Sequence, residues 1–270
     1  MQQRTWDKVG KRGGNIVKIL AVANQKGGVG KTTTVVNLSA CLCRAGKKVL
    51  VIDLDPQAHA TVGLGLDPDQ FTGRTIGDVL LSESQSISSI ISDTYLPDLR
   101  IAPASITLSK ADSLLHTKHF REQRLQHALE GLQGFDFVII DCQPTMGVLP
   151  VNAMVAASHF LIPTQPSGYA LRGLGDLLEI LHSVKRFAPH WEYRILVTMV
   201  MAQATVTNGL VEKALEPVRD KVLQTRIGRC EMLNRAQSGD EPRDVVAIAQ
   251  HTRAARDYQQ LAQEICTLWP

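Results

Sequence analysis

The chain reads Lys26-Gly27-Gly28-Val29-Gly30-Lys31-Thr32-Thr33 between an apolar run of strand length, Ile16 to Ala23, and a stretch with helical spacing, Lys31 to Arg44. A glycine-rich turn that follows a strand and opens a helix is the setting in which such a motif binds phosphate. Glycines let several backbone N–H groups turn toward one anion, and the positive end of the helix dipole adds to the attraction. The segment therefore predicts a site for nucleotide phosphates.

Two side chains of this segment are suited to contact the phosphates and a metal ion directly. Lys31 is long enough to reach the β- and γ-phosphates, and the Thr32 hydroxyl is a ligand for Mg²⁺. The predicted nucleotide-binding residues are Gly27, Gly28, Val29, Gly30, Lys31, Thr32 and Thr33.

Three carboxylates that follow apolar runs predict a cation site. Asp53 and Asp55 are two residues apart at the end of the stretch Val49 to Leu54, so they share a face if the strand extends that far. Asp141 ends the run Phe137 to Ile140, at the edge where open α/β sheets bind their ligands. The predicted metal-site residues are Thr32, Asp53 and Asp141.

Alternating strand-like and helix-like segments predict the fold class. Further strands are expected at Leu99 to Ala102, Phe160 to Pro163 and Arg194 to Met201, and helices at Gly173 to Phe187 and Arg253 to Leu268. This order is typical of an α/β protein with a doubly wound, mostly parallel sheet and helices on both faces. We expect residues 1–15 to form a flexible basic tail and residues 16–270 to form one P-loop NTPase domain.

Composition sets the remaining limits. The 270 residues are 44% hydrophobic and 20% charged, which excludes a disordered tail protein, a coiled coil and a collagen-like fibre. The net charge of +3 permits an acidic partner without requiring one. The five cysteines fit no zinc spacing and suggest a reducing compartment. The polar, basic N-terminus is not followed by an apolar h-region of the signal-peptide type, so a secretory signal is not expected.

The phosphate loop departs from the usual Gly-x4-Gly-Lys-Thr pattern, because Gln25 occupies its first position and Lys26 follows. With this loop the chain resembles the ParA/MinD (Soj-like) family of deviant Walker-A ATPases. The resemblance covers Asn24 to Thr34, Val51-Ile-Asp-Leu-Asp-Pro-Gln57, Ala60-Thr61 and Gly63-Leu-Gly65, and continues more loosely to the C-terminus.

The resemblance implies an ATPase that uses ATP and Mg²⁺, with Lys26, Lys31 and Asp55 as catalytic residues. Lys26 would reach across an ATP-sandwich homodimer to the partner's phosphates, much as an arginine finger does. Asp55 would position or activate the attacking water, Asp53 would support the metal site, and Asp141 would be the Walker-B carboxylate that holds Mg²⁺ through water.

The family also implies partners and a location. An ATP-bound dimer would bind nucleoid DNA without sequence preference, and a ParB-like or cargo-adaptor protein would stimulate hydrolysis and release it. The cargo would be a chromosome or plasmid partition complex, or a protein assembly. The protein would then be cytoplasmic and nucleoid-associated, with no membrane partner.

Several positions differ from the family pattern. Gln143 replaces a proline after Asp141, and His59 lies near the site, although we assign it no catalytic role. Met232 and Gln203 fall close to positions where the family has DNA-contacting arginines. Other arginines of the C-terminal third are available to rebuild a DNA-binding patch. These candidates are Arg226, Arg229, Arg235, Arg253 and Arg256.

Three alternatives remain at this stage. A MinD-like membrane-surface regulator would need an amphipathic terminal helix with basic flanks, and the terminal helix here contains no lysine. A positioning ATPase without DNA binding would follow if the missing arginines are decisive. A reductase similar to the nitrogenase iron protein would need two well-placed cysteines, and only Cys142 lies near a switch segment.

Overall fold

The computed structural model describes residues 17–145, 147–166, 170–185, 190–201, 209, 213–238 and 243–270. The basic tail expected over residues 1–15 lies outside these ranges.

The described residues contain a single sheet of eight strands. In chain order the strands are β1 (Lys18–Val22), β2 (Val49–Leu54), β3 (Ser92–Asp93), β4 (Leu99–Ala102), β5 (Phe137–Cys142), β6 (His159–Thr164), β7 (Glu192–Val200) and β8 (Val222–Gly228). Their spatial order is β3-β4-β2-β5-β1-β6-β7-β8. Every neighbouring pair is parallel except β3 with β4, which is antiparallel. The predicted mostly parallel α/β fold is confirmed.

Ten α-helices lie within the described ranges and connect or flank the strands. They are α1 (Lys31–Arg44), α2 (His59–Gly63), α3 (Ile76–Leu81), α4 (Leu108–Leu115), α5 (Arg124–Ala128), α6 (Val148–Ala156), α7 (Ala170–Val184), α8 (Glu231–Ser238), α9 (Val245–Ala249) and α10 (Arg253–Leu268).

The sheet separates two apolar layers, because successive side chains of a strand point to opposite faces. In β1, Ile19 and Ala21 pack into the layer that includes α6 and α7. Leu20 and Val22 pack into the other layer, with α1 and the buried face of α10. Helices therefore cover both faces, as the sequence predicts.

The parallel register brings the predicted site together at one edge of the sheet. β1 lies between β5 and β6, and β5 lies between β1 and β2. The carboxyl ends of these central strands therefore meet at one edge. The glycine-rich loop after β1 and the acidic ends of β2 and β5 share it, which is the ligand-binding edge of such folds.

Candidate nucleotide-binding site

The glycine-rich loop presents an open backbone surface. Gly28 and Gly30 have left-handed φ values of 70° and 85°, which side chains with a Cβ rarely adopt. A Cβ placed at Gly27, Gly28 or Gly30 would meet no atom within 4 Å. The loop therefore has space on the side where an anion would lie.

The N-terminus of α1 supplies the electrostatic attraction for that anion. Gly30 precedes the helix and offers no side-chain cap, and the first turn carries no acidic residue. The first N–H groups of a helix have no intrahelical partner, and the helix dipole is positive at this end. An anionic ligand satisfies both, as in other phosphate sites at helix N-termini.

The start of the loop is fixed to the neighbouring strand β6. The side-chain amide of Asn24 donates to the Pro163 carbonyl at 2.7 Å, and the Asn24 side-chain oxygen accepts from the Lys26 N–H at 2.9 Å. Asn24 is almost fully buried. The position of Lys26 is thus set by a buried hydrogen-bonded residue of the loop itself.

Lys31 extends back over the loop. Its Nζ donates to the Lys26 carbonyl at 3.0 Å, and only 7% of the residue is exposed. Burial lowers the pKa of Lys31, while the nearby Asp141 and Asp55 carboxylates raise it in part. A lysine removed from water beside the loop is well placed to exchange the carbonyl for a phosphate oxygen.

Asp53 and Asp141 lie opposite each other in the register of β2 and β5, and both are fully buried. Neither oxygen of the Asp141 carboxylate has a hydrogen-bond partner within the described residues. Burial, followed by the neighbouring Asp53 charge, raises the pKa of Asp141 well above its ordinary value, while the nearby Thr32 hydroxyl and the Lys31 charge oppose that change. Buried carboxylates are normally paired or bound to a metal, so this orphaned group fits a Mg²⁺ site.

Asp53 has a different set of contacts. Its carboxylate accepts from the N–H and the hydroxyl of Thr61, both at 2.8 Å, and from the Asp55 N–H at 3.1 Å. The Thr61 hydroxyl also accepts from the Ala104 N–H at 3.1 Å. Burial raises the pKa of Asp53, and the hydrogen bonds from Thr61 oppose that change. Asp53 therefore orders the segment between β2 and α2.

Asp55 and His59 lie on this same segment. Asp55 is half-buried, and its Oδ1 accepts from the Gln57 N–H at 2.9 Å, so it also caps the turn after β2. His59 is exposed at the start of α2. Thr61 belongs to a motif quoted above, yet its bond to Asp53 could not be foreseen, because it depends on how α2 folds back.

No cluster of three or more His, Cys, Asp or Glu side chains that could hold a metal ion lies within the described residues. A Mg²⁺ ion here would have to complete its oxygen shell with phosphate and water, as it commonly does in nucleotide sites. Thr32, at the first turn of α1, and Asp141 are the residues whose chemistry and position fit this role.

The predicted DNA-binding arginines fall into two groups. Arg229, Arg253 and Arg256 are exposed, and Arg253 lies against Gly228, one residue before Arg229. Arg226 instead turns back to the carbonyls of Leu223 and Gln224 on its own strand. The side chain of Arg235 and all of Gln203 lie outside the described part of the chain. Met232 is half-buried and packs against the core.

Comparison with known proteins gives close relatives. A family model described as an AAA domain matches residues 17–193. The sporulation initiation inhibitor protein Soj of Bacillus subtilis is 39% identical over 251 residues, which cover 92% of this chain and 98% of Soj. The chromosome partitioning protein ParA of Myxococcus xanthus is 35% identical over 266 residues, covering 97% of this chain and 90% of that protein.

A solved structure has a similar fold. Cobyrinic acid a,c-diamide synthase from Mycobacterium smegmatis, in a crystal structure with bound ADP and magnesium, superposes with a TM-score of 0.80. It is 32% identical in sequence, and the alignment covers 94% of this chain and 95% of that one. The same synthase has also been solved with an ATP analogue and magnesium.

Proposed function

This chain belongs to the family of ParA- and Soj-type P-loop ATPases, and from that membership we propose that it positions cargo through an ATP-dependent cycle of dimerisation and DNA binding. It is an ATPase, and its cofactors are ATP and Mg²⁺. The dimer, the DNA and the stimulating partner are the parts that we propose.

One observation carries the proposal. An open glycine loop at an uncapped helix N-terminus shares an edge of the sheet with a buried carboxylate, Asp141, that accepts no hydrogen bond within the described residues. The loop is suited to the negative phosphates and the carboxylate to a cation. A Mg–nucleotide complex satisfies both at once.

The residues of this site have distinct roles in phosphoryl transfer. Backbone N–H groups from Gly27 to Thr33 hold the phosphates, and Lys31 exchanges its bond to the Lys26 carbonyl for a β- or γ-phosphate oxygen. When bound, Mg²⁺ neutralises charge on the β- and γ-phosphate oxygens. Thr32 and Asp141 would hold the ion, and Asp53 supports them by ordering the adjacent segment.

Hydrolysis needs an oriented water and an additional positive charge. Asp55 lies at the end of β2 beside the site, where the second oxygen of its carboxylate can orient the attacking water. We assign the added charge to Lys26 of a second subunit, because the loop belongs to the deviant Walker-A type; in a dimer with two facing loops, each Lys26 would lie next to its partner's phosphates. Each site would then be complete only in the dimer.

DNA binding is assigned to the exposed arginines at the end of β8 and the start of α10, led by Arg229, Arg253 and Arg256. Lysine and arginine contacts to phosphates give affinity without sequence preference. A ParB-like or cargo-adaptor protein would trigger hydrolysis, and the dimer would separate from DNA. The protein would then be associated with the nucleoid.

The two catalytic roles are separable by mutation. We expect Lys31→Ala to abolish ATP binding, because it removes the buried charge that faces the phosphates. Asp55→Ala should leave the affinity for ATP within about threefold and lower kcat by about 100-fold or more, as expected for loss of a group that positions the water. Fluorescence titration with labelled ATP and a phosphate-release assay measure both. Equal loss of binding in the two variants would contradict the assigned roles.

A mobility shift on random-sequence DNA, with and without ATP across a salt series, tests the DNA assignment. We expect an ATP-dependent shift that weakens steeply with salt, and a reduced shift for the double variant Arg229→Ala and Arg253→Ala. Arg100→Ala, which removes a surface charge that is ion-paired to Asp93 on β3, is the matched control. No shift at low salt would favour the positioning ATPase without DNA binding, for which the half-buried Met232 and the folded-back Arg226 argue.

The membrane-surface alternative has less support, because the apolar side of α10, with Tyr258, Leu261 and Ile265, is buried in the layer that contains α1. Within the described residues, no helix is long and apolar enough to span a bilayer. Flotation with anionic liposomes and ATP would favour this alternative if the protein rose with the vesicles.

A further inference from the structure

The apex of the phosphate loop is held by a residue from a distant part of the chain. Val29 is 1% exposed, although Gly27 and Gly28 beside it face solvent. Its carbonyl accepts a hydrogen bond from the hydroxyl of Thr198 at 2.9 Å. Thr198 lies near the end of β7 and is 2% exposed. The loop is therefore fixed at its start by Asn24 and at its apex by Thr198.

This bond sets the direction of a donor that the nucleotide would use. The peptide between Val29 and Gly30 is trans and planar, so its C=O and N–H point in opposite directions. Because the Val29 carbonyl is directed to Thr198, the Gly30 N–H is directed away from β7. Without the Thr198 hydroxyl, this peptide plane would lose its buried partner and would be free to rotate.

β7 is irregular directly after Thr198. Met199 has a left-handed φ of 56°, which is unfavourable for a residue with a side chain. The register between β7 and β8 shifts between Val197 and Val200. Strained backbone of this kind persists where the surroundings hold it in place, and it is frequent near functional sites.

The other side of this irregular segment contacts β8. The Val200 carbonyl accepts from the Arg229 N–H at 3.0 Å. A single residue of β7, Met199, thus separates a hydrogen bond to the phosphate loop from a hydrogen bond to the backbone of an exposed arginine. Both bonds must adjust if the strained residue between them, Met199, changes conformation.

We propose that Thr198 is a positioning residue for the phosphate loop, and that the segment Thr198–Val200 transmits the nucleotide state of the loop to the backbone of Arg229. When phosphates bind, the peptide of Val29 and Gly30, which Thr198 already holds through the carbonyl, gains a second partner at the Gly30 N–H. The position of Thr198 is then restricted further, and the Val200–Arg229 bond changes in stability. The inference rests on the proposed ATP site, but it requires neither DNA binding, dimerisation nor a partner protein.

The test compares Thr198→Val, which keeps the shape and removes the hydroxyl, with Thr198→Ser, which keeps the hydroxyl. We expect Thr198→Val to weaken binding of fluorescently labelled ATP with Mg²⁺ by about fivefold to tenfold, as for one lost buried hydrogen bond. Thr198→Ser should bind within about twofold of the wild type. Thr198→Ala serves in place of the valine variant if that variant does not fold, with the same expected loss.

Amide hydrogen exchange at Arg229 is the readout that a purely structural role would not change. In the wild type and Thr198→Ser, saturation with a non-hydrolysable ATP analogue and Mg²⁺ should alter this exchange. In Thr198→Val, saturated at a higher analogue concentration, the response should be lost. The inference is overturned if serine and valine weaken binding equally, if neither does, or if Arg229 responds identically in all three proteins. Failure of the wild type to bind ATP would instead overturn the proposed function, and the inference with it.

Discussion

At the scale of single residues, we expect Asp141 to lower the stability of the nucleotide-free protein and to favour the binding of a cation. Within the described residues the Asp141 carboxylate is buried next to Asp53 and accepts no hydrogen bond, which destabilises the fold because both desolvation and the neighbouring charge disfavour its ionised form. The cost is offset once a cation binds there. The protein without nucleotide should therefore gain stability when this charge is removed.

We expect Asp141→Asn to raise the Tm of the nucleotide-free protein by a few degrees, since about 1 kcal/mol shifts the Tm of a chain of this size by roughly 2–4 °C. The same variant should lose the increase in Tm that ATP with Mg²⁺ gives the wild type. Differential scanning calorimetry with and without ligand measures both effects. Asp93→Asn, at an 83% exposed carboxylate, is the control. A Tm below that of the wild type without ligand would contradict this account.

At the scale of secondary structure, one buried carboxylate joins two helices and the turn between β3 and β4. Asp244 accepts two hydrogen bonds from Arg44 at the end of α1, at 2.8 and 2.9 Å, and one from the Tyr95 hydroxyl at 2.6 Å. It also caps α9 by accepting from the Val246 and Ala247 N–H groups. The helix that begins at the phosphate loop is thereby connected at its other end to the C-terminal helices.

Loss of this carboxylate should be far more costly than loss of a surface charge. We expect Asp244→Ala to lower the free energy of unfolding by about 3 kcal/mol or more, because Arg44 and the α9 N-terminus lose a buried partner. Asp93→Ala, which breaks the exposed pair with Arg100, should cost less than about 1 kcal/mol. Urea denaturation of the two variants gives both values, and equal costs would show that Asp244 is not an anchor.

Where the local sequence pattern is strong, both the first and the last residue of a helix or strand could be predicted. Helices α1 and α10 and strands β2 and β4 begin and end at the expected residues. Strand β8 could not be predicted from the sequence, because Gln224, Thr225 and Arg226 interrupt its apolar pattern. It is an edge strand, and the Glu264 carboxylate of α10 accepts from the Gln224 and Thr225 N–H groups at 2.7 and 2.9 Å. That protection depends on tertiary contact, which a local pattern does not contain.

In the candidate site, too, local features could be predicted from the sequence and long-range contacts could not. The loop from Lys26 to Thr33 could be identified because its residues are consecutive and each has a local conformational reason. The bond from Thr198 to Val29 joins residues 169 positions apart, and the bond from Thr61 to Asp53 depends on the position of α2. Neither hydrogen bond corresponds to a motif or a residue spacing in the sequence, so both can be identified only in the folded structure.

At the scale of the whole molecule, the two edges of the sheet differ in role. The loop, the acidic residues and Arg229 lie at the carboxyl edge. At the amino edge, the C-terminal Trp269 packs on His159 with ring centroids 4.6 Å apart, and its Nε1 donates to Glu192 at 3.2 Å. Trp269 therefore covers the starts of β6 and β7, at the edge of the sheet opposite the candidate nucleotide site.

The burial of His159 beneath Trp269 should make the stability of the protein depend on pH. Burial lowers the pKa of His159 to about 4, whereas an unfolded histidine titrates near 6.5. The unfolded state therefore binds more protons between these values, so the stability contribution is complete above about pH 6.5 and is lost as the pH falls toward 4. We expect His159→Gln to reduce the loss of stability between pH 7 and 5 by about 1 to 2 kcal/mol, as measured by urea denaturation. The exposed His116→Gln is the control, and an unchanged pH slope in His159→Gln would contradict the assignment.

The proposal that each site is completed by Lys26 of the other subunit can be measured directly by mixing two inactive variants. In a mixed dimer of Lys26→Ala and Asp55→Ala, one site has its own Asp55 and receives Lys26 from the partner, while the other site lacks both. If Lys26 acts across the dimer, an equimolar mixture should recover about a quarter of the wild-type ATPase rate, although each variant alone is inactive. If the mixture stays as inactive as its components, while cross-linking shows that mixed dimers form with ATP, Lys26 does not act in the partner's site and the account is wrong.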